Sequence, residues 1–390
     1  MTTISNQVRY YHSGMANAPV LSGTAGALIS VLDACLVDGW DVRTINTLTV
    51  TDGIAVATIS AGHSYGEGDV IRVAGATPAK LNSDWRLASV TASTVTFSVE
   101  GVGIPDGAAT GTITALRAPA RWQKVFADGT TRAAYRSLDY AAHNGLILYV
   151  DDTGTTTARA RGYESMTDID TGAGPFPTDA QISGGYWWAK SEAAGATARP
   201  WYVAADARRV VIAPRYHGSY SNDAPGCCFG RLAGTSPGDT WATAISGATS
   251  SASALNSSPA AQVIYGLLVY LSAGQAAYVA RGASGAAQSL ECASLLRAKG
   301  NTGSSSYANV GAGAGAVLVA GPAVIAEGAT TDLVPRGHMP GPLHLCHRLL
   351  IASAPAGTLI GSPGNGSVVM WANRAANAWL LDLGQDGRWD

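Results

Sequence analysis

Between Ile45 and Leu116 apolar and polar residues alternate in short runs separated by glycine-containing turns. The runs Ile45–Val50, Ile54–Ser60, Asp69–Ala74, Trp85–Thr91, Thr94–Val99 and Gly111–Leu116 are rich in β-branched side chains. A period of two marks strands with one face buried. Thr51-Asp52-Gly53, Gly66-Glu67-Gly68-Asp69 and Pro105-Asp106-Gly107 supply turn chemistry between them. The pattern predicts a small all-β barrel or sandwich module over residues 43–117.

One segment has a different period. Leu28, Ile29, Leu32 and Leu36 recur at helical spacing, Thr24 stands where an N-cap would, and Gly39 stands where a helix ends. This predicts one short N-terminal helix over Ala25–Val37. Residues 1–22 lack periodicity and read as an extended arm with Tyr10, Tyr11 and Pro19, and Trp40 follows the helix as an anchor. Arm and helix together occupy residues 1–42 and are expected to dock onto a neighbouring subunit.

Arg117-Ala118-Pro119-Ala120 reads as a linker into a larger, β-sandwich-like domain over residues 118–345. Strands are expected there at Gly145–Val150, Trp201–Ala205, Arg209–Ala213 and Val263–Leu271, with long loops such as Gly172–Pro177 and Gly234–Ser258. A second helix is expected at Gln288–Arg297. The segment 346–390, with strands at Leu349–Ser353, Ser367–Trp371 and Ala378–Leu383, is expected to pack on the larger domain. The fold class is therefore mainly β: a small barrel or sandwich module, a larger sandwich-like domain and one short helix. No repeat of fixed period points to a solenoid or propeller.

Composition narrows the function classes. Of 390 residues, 25 are Lys or Arg and 27 are Asp or Glu, and charged residues make up 13%. That is about half the usual 25%. Alanine, with 69 residues, supplies more than a third of the 47% hydrophobic fraction. No basic stripe is present, so nucleic acid is not an expected partner. A nearly uncharged surface protects poorly against association and suits a chain held in an assembly. Met1 to Val20 lacks the apolar core of a secretory leader. The five cysteines, Cys35, Cys227, Cys228, Cys292 and Cys346, have no framework spacing and read as reduced thiols. The uncharged stretches Ala261–Ala280 and Gly300–Ala326 are broken by Gly, Ser and Tyr, so no membrane span is expected.

Candidate chemistry is sparse. His344, Cys346 and His347, with His338 nearby, carry zinc-binding side chains, but the spacing does not match a finger, and strand alternation would set His344 and His347 on opposite faces. Asp168 and Asp170 resemble the start of a calcium loop without its later acidic ligand; capping the turn before Gly172 is the simpler role. Asp139, Asp151, Asp152 and Glu164 could supply a carboxylate pair for glycoside hydrolysis. No nucleophile elbow, phosphate loop or dinucleotide fingerprint occurs, and neither a cofactor nor an enzymatic activity is expected. Tyr186-Trp187-Trp188 and Trp201-Tyr202 are candidate glycan or protein contacts, with core packing as the alternative. Leu333-Val334-Pro335-Arg336-Gly337 has the form of a thrombin site but lies deep within the chain.

The stretch from Met15 to Trp40, MANAPVLSGTAGALISVLDACLVDGW, resembles the opening of a family of tailed-bacteriophage virion proteins. The similarity continues through Ala61–Val70, Leu81–Trp85, Ala134–Ser137, Val150–Thr153, Arg161–Asp168 and Asp382–Trp389. The sequence departs from the family pattern at Arg231, where an acidic residue is expected. The resemblance implies a structural component of the tail, tail tip or baseplate; the alternatives are a receptor- or glycan-binding or polysaccharide-degrading tail protein, and a capsid-associated decoration protein. Its partners would be other virion proteins and copies of itself, with a host surface glycan as a further ligand. The implied location is the virion, and no catalytic residue is carried over.

Overall fold

The computed structural model describes residues 7–139, 144–218, 224–255, 277–294, 319–327, 334–345, 357–362, 365–371, 378–384 and 387–389. The expected strands Val263–Leu271 and Leu349–Ser353, together with Cys346 and His347, lie outside these residues. The architecture is mainly β, and every strand pairing is antiparallel.

Eight strands between Trp40 and Arg117 form one sheet. Alternation sends Leu48, Val50, Ala55, Ala57, Val95 and Phe97 into a shared core, where Trp85 stacks on Phe97 at 5.3 Å between ring centroids. The expected strand Ile45–Val50 is divided at Asn46 into Trp40–Ile45 and Thr47–Thr51. The first half pairs with Ile113–Arg117 and the second with Ile54–Thr58.

Trp122–Asp128, Arg132–Ser137, Ile147–Asp151, Thr157–Tyr163 and Tyr186–Ala189 form a five-stranded sheet paired in sequence order. Within it Gly162 has a steric reason: a Cβ there would lie 2.1 Å from the Phe176 ring.

The third sheet has twelve strands. Trp201–Ala205 and Arg209–Pro214, in its first half, are buried at every position. Trp201, Val203, Val210, Ile212, Phe229 and Ile245 share one core with Tyr135, Leu148, Val150 and Trp188 of the five-stranded sheet. The alternate residues Tyr202, Ala204, Val211, Cys228 and Val279 share a second core with Ile325, Met339, Val368 and Leu381 from later strands of the same sheet. The twelve-stranded sheet thus curls back over its own first half. A layer covered on both faces reads as continuous apolar sequence rather than alternation. The tail strands Asn365–Trp371 and Ala378–Asp382 continue this sheet beside Val334–Leu345.

Several expectations need correction. The arm is part of the fold: Arg9–His12 is the edge strand of the twelve-stranded sheet, paired with Trp201–Ala205. The helix comprises an α-helical turn set, Ala27–Leu32, continued as a π-helix over Asp33–Asp38. Leu28, Ile29, Val31, Leu32, Cys35 and Leu36 are buried in the core shared with the five-stranded sheet. Thr24 does not cap it; Asp152, far along the chain, accepts the Leu28 N–H at 2.7 Å. Gly39 ends the helical run as expected, at φ 70°, with the Arg117 carbonyl only 2.2 Å from where a Cβ would be. Residues 117–120 are no open linker, since Arg117, Ala118 and Ala120 are buried and the Ala120 N–H donates to the Cys35 carbonyl. Gln288–Ser294 is a strand, not a helix, and pairs with Ala277–Arg281.

The module is tied to the rest by charge as well as packing. Asp84 accepts from Arg9 at 2.7 Å and from Arg72 at 2.7 and 3.1 Å, with Arg9 and Asp84 both buried. Burial opposes ionisation of Asp84, but the Arg72 hydrogen bond and the Arg9 charge outweigh it and hold its carboxyl below the ordinary value. Arg86 adds a bond to the Val8 carbonyl at 2.9 Å.

Candidate functional site

On the outward face of the eight-stranded sheet, the part built from Thr47–Thr51, Ile54–Thr58 and Thr94–Ser98 is a grid without charge. Register aligns Thr47 with Thr58, Thr49 with Val56, and Thr51 with Ile54. The next strand aligns Thr94 with Thr58, Thr96 with Val56, and Ser98 with Ile54. Ala108 extends the middle row beside Thr49, and Ser89 extends it beside Thr96. Ile54 and Val56 are 43% and 41% exposed, and no ionisable side chain stands in the grid. β-Branched residues at every second position explain the strands. They do not explain why the water-facing side lacks Lys and Glu, the residues that normally keep such a face soluble. Charge depletion is the compositional mark of a contact core.

The aromatic candidates sit elsewhere, and most are spent on the core. Tyr186, Trp188 and Trp201 are buried completely or nearly so, and Tyr202 is 8% exposed. Trp188 donates its indole N–H to the Ser246 carbonyl at 2.8 Å, and Trp201 donates to the Pro19 carbonyl at 2.9 Å. Their expected role as glycan or partner contacts is corrected to packing between sheets. Trp187 alone among them is half-buried, packed at the rim of the same core with the Arg159 guanidinium 3.6 Å from its ring centroid. Arg159 also donates to the Gly185 carbonyl at 2.6 Å.

The four arm candidates are likewise engaged within the chain. Tyr11 donates to the Ala118 carbonyl at 2.6 Å and packs on Trp40, whose indole donates to the Ala16 carbonyl at 3.3 Å. Tyr10 is half-buried, and burial raises its phenol far above the ordinary value. Pro19 is half-buried beneath Trp201. A separately docking arm is therefore replaced by an edge strand bonded to its own sheet.

The acidic candidates do not converge. Asp139 pairs with Arg208 at 2.6 Å, and Glu164 binds Arg281 through two 2.7 Å bonds. Asp151 accepts from the Thr153 hydroxyl at 2.6 Å, while Asp152 is buried against Lys190. Asp168 accepts the Asp170 N–H at 2.8 Å, a turn-capping contact, and Asp170 pairs with Arg132 at 2.5 Å. Among the described residues no group of three His, Cys, Asp or Glu side chains could hold a metal ion. His344 pairs through its backbone with Ala320 and Trp379, and His338 lies in the same strand.

Cys227 and Cys228 enter different cores because neighbouring side chains on a strand face opposite ways. Burial raises the Cys227 thiol well above its ordinary value and pushes Cys228 up to about 12. Both are inert thiols. Arg336 of the thrombin-like motif is buried in a strand and bound by Asp239 at 2.9 and 3.0 Å and by Glu327 at 2.6 Å. No helix is long and apolar enough to cross a membrane among the described residues.

The grid is what sequence reading missed. Its signal was present in Thr47-Leu48-Thr49-Val50-Thr51 and Thr94-Val95-Thr96, where every second residue is threonine. Only register shows that these rows flank Ile54 and Val56 and make one continuous surface. The chain matches no protein-family model, and no curated protein matches it in sequence.

Proposed function

We propose that this protein is a structural component of a tailed-phage virion, placed in the tail or tail tip, which joins its neighbours through the charge-free grid of the eight-stranded module. The observation that carries the assembly role is the grid of Thr47, Thr49, Thr51, Ile54, Val56, Thr58, Thr94, Thr96 and Ser98. The virion placement rests on the sequence resemblance. With strands about 4.8 Å apart and a rise of about 3.3 Å per residue, three strands of five residues cover about 240 Å². A stable interface takes about 800 Å² from each partner. The grid is therefore the centre of a larger contact, or one of several repeated in a symmetric assembly. Other virion proteins and copies of this chain are the partners of this reading, and the virion is the location.

Antibody against the purified chain, applied to particles of the phage that encodes it and viewed by electron microscopy, tests the placement. Labelling confined to the tail is the expected result; unlabelled particles would reject it. Glycan binding is a second reading, favoured only by the half-buried Trp187. Unchanged host adsorption by Trp187→Ala particles would dismiss it.

A further inference from the structure

Lys190 and Asp152 form an ion pair in which neither side chain has any exposure. Asp152 follows the strand Ile147–Asp151, and Lys190 follows Tyr186–Ala189; both strands flank Thr157–Tyr163. The lysine Nζ donates to Asp152 Oδ1 and, at 2.7 Å, to the Thr24 carbonyl. The second carboxylate oxygen, Oδ2, accepts the backbone N–H groups of Leu28 at 2.7 Å and Ile29 at 3.4 Å. A buried ion pair is costly, because desolvation of two charges commonly exceeds their attraction. Burial pushes the Asp152 carboxyl up and the Lys190 amine down, so each is driven toward its neutral form.

We propose that Lys190 and Asp152 condense within the folded chain to an isopeptide bond, a covalent staple between the ends of two strands. The amine and carboxyl are already in contact, which removes the entropy cost of bringing them together. One proton passes from the ammonium to Oδ1, and the free amine attacks Cγ. The developing oxyanion is Oδ2, already facing the Leu28 and Ile29 N–H groups, the arrangement that stabilises such charge. A second proton passes from nitrogen to Oδ1, the Cγ–Oδ1 bond breaks, and water leaves. The three protons of the ammonium end as one on the amide and two on the water, so no outside reagent is required.

The surroundings suit the product. The amide N–H keeps the Thr24 carbonyl as acceptor, and the amide oxygen keeps the Leu28 N–H as donor. Two buried charges are replaced by one buried amide whose hydrogen bonds are already formed. This inference is independent of where the protein acts.

The test is the intact mass of the full-length folded protein, measured after denaturation beside Lys190→Arg prepared in parallel. The wild type should lack the mass of one water relative to its sequence, and the variant should not. Trypsin should give one branched wild-type fragment joining residues 137–159 to residues 162–208, because cleavage after Lys190 is blocked and Arg199 precedes a proline. A free fragment 162–190 together with full sequence mass would overturn the proposal. Loss of water traced to another position, such as Asp106-Gly107, with fragment 162–190 free, would overturn it equally.

Discussion

The eight-stranded module and the first half of the twelve-stranded sheet use similar strands and treat their second face in opposite ways. Ile54–Thr58 buries Ala55 and Ala57 and leaves Ile54 and Val56 in water. Trp201–Ala205 and Arg209–Pro214 bury every residue, because the five-stranded sheet covers one face and the curled second half of their own sheet covers the other. The inner layer has no free face with which to meet a partner. The module has one: its grid around Ile54 and Val56 is exposed and carries no charge. Sheets covered twice give rigidity, and the sheet covered once is where recognition can occur.

Large losses should come from the two cores that flank the twice-covered layer. Ile212→Ala faces one core and Ile325→Ala the other, and each should cost about 2–5 kcal/mol in urea unfolding. Ile54→Ala, on the open face, should stay within about 0.5 kcal/mol. Equal losses at Ile54 and Ile212 would break the comparison.

The junction comes next. Asp84→Ala leaves Arg9 buried without its partner and should cost about 3–5 kcal/mol by the same measurement. Asp84 is held below the ordinary carboxylate value in the fold, so its contribution is complete above that range and is lost as pH falls through the folded value. Wild type should therefore lose stability more steeply than Asp84→Asn on acidification below the carboxylate range. Parallel curves would show that Asp84 does not lock the module to the edge strand.

The adjacent tryptophans on one outer strand give a further contrast. Trp187→Ala, at a half-buried rim position, should cost clearly less than Trp188→Ala, which should cost about 3–5 kcal/mol. Similar losses for both would contradict the assignment of the two faces.

How much was legible follows from the same contrast. Alternation exposed most module strands, because one covered face imposes a period of two; the two-residue strand Gly107–Ala108 was too short to leave a period. Trp201–Ala205 and Arg209–Pro214 were visible as continuous apolar runs, but nothing local showed that two different layers cover them. The helix was legible from Leu28, Ile29, Leu32 and Leu36, while its cap was not, since Asp152 arrives from another sheet. Gln288–Ser294 failed as a helix because pairing with Ala277–Arg281 overrode local preference. The arm looked free because the four residues Arg9–His12 are too short to show a period, and their partner strand lies far along the chain. Trp187 and Trp188 could not be separated until register fixed which one lay at the rim of the core.

The most direct test of the assembly role places a carboxylate in the middle of the grid. Val56→Glu stands on a water-facing position, so its melting temperature should match wild type. In an assembled contact the same carboxylate would be buried without a partner, at a cost of several kcal/mol, which is more than about tenfold in affinity. Complementing a phage that lacks the gene and quantifying the chain in purified particles reads that difference. The account predicts a folded variant nearly absent from particles. Incorporation equal to wild type would contradict it.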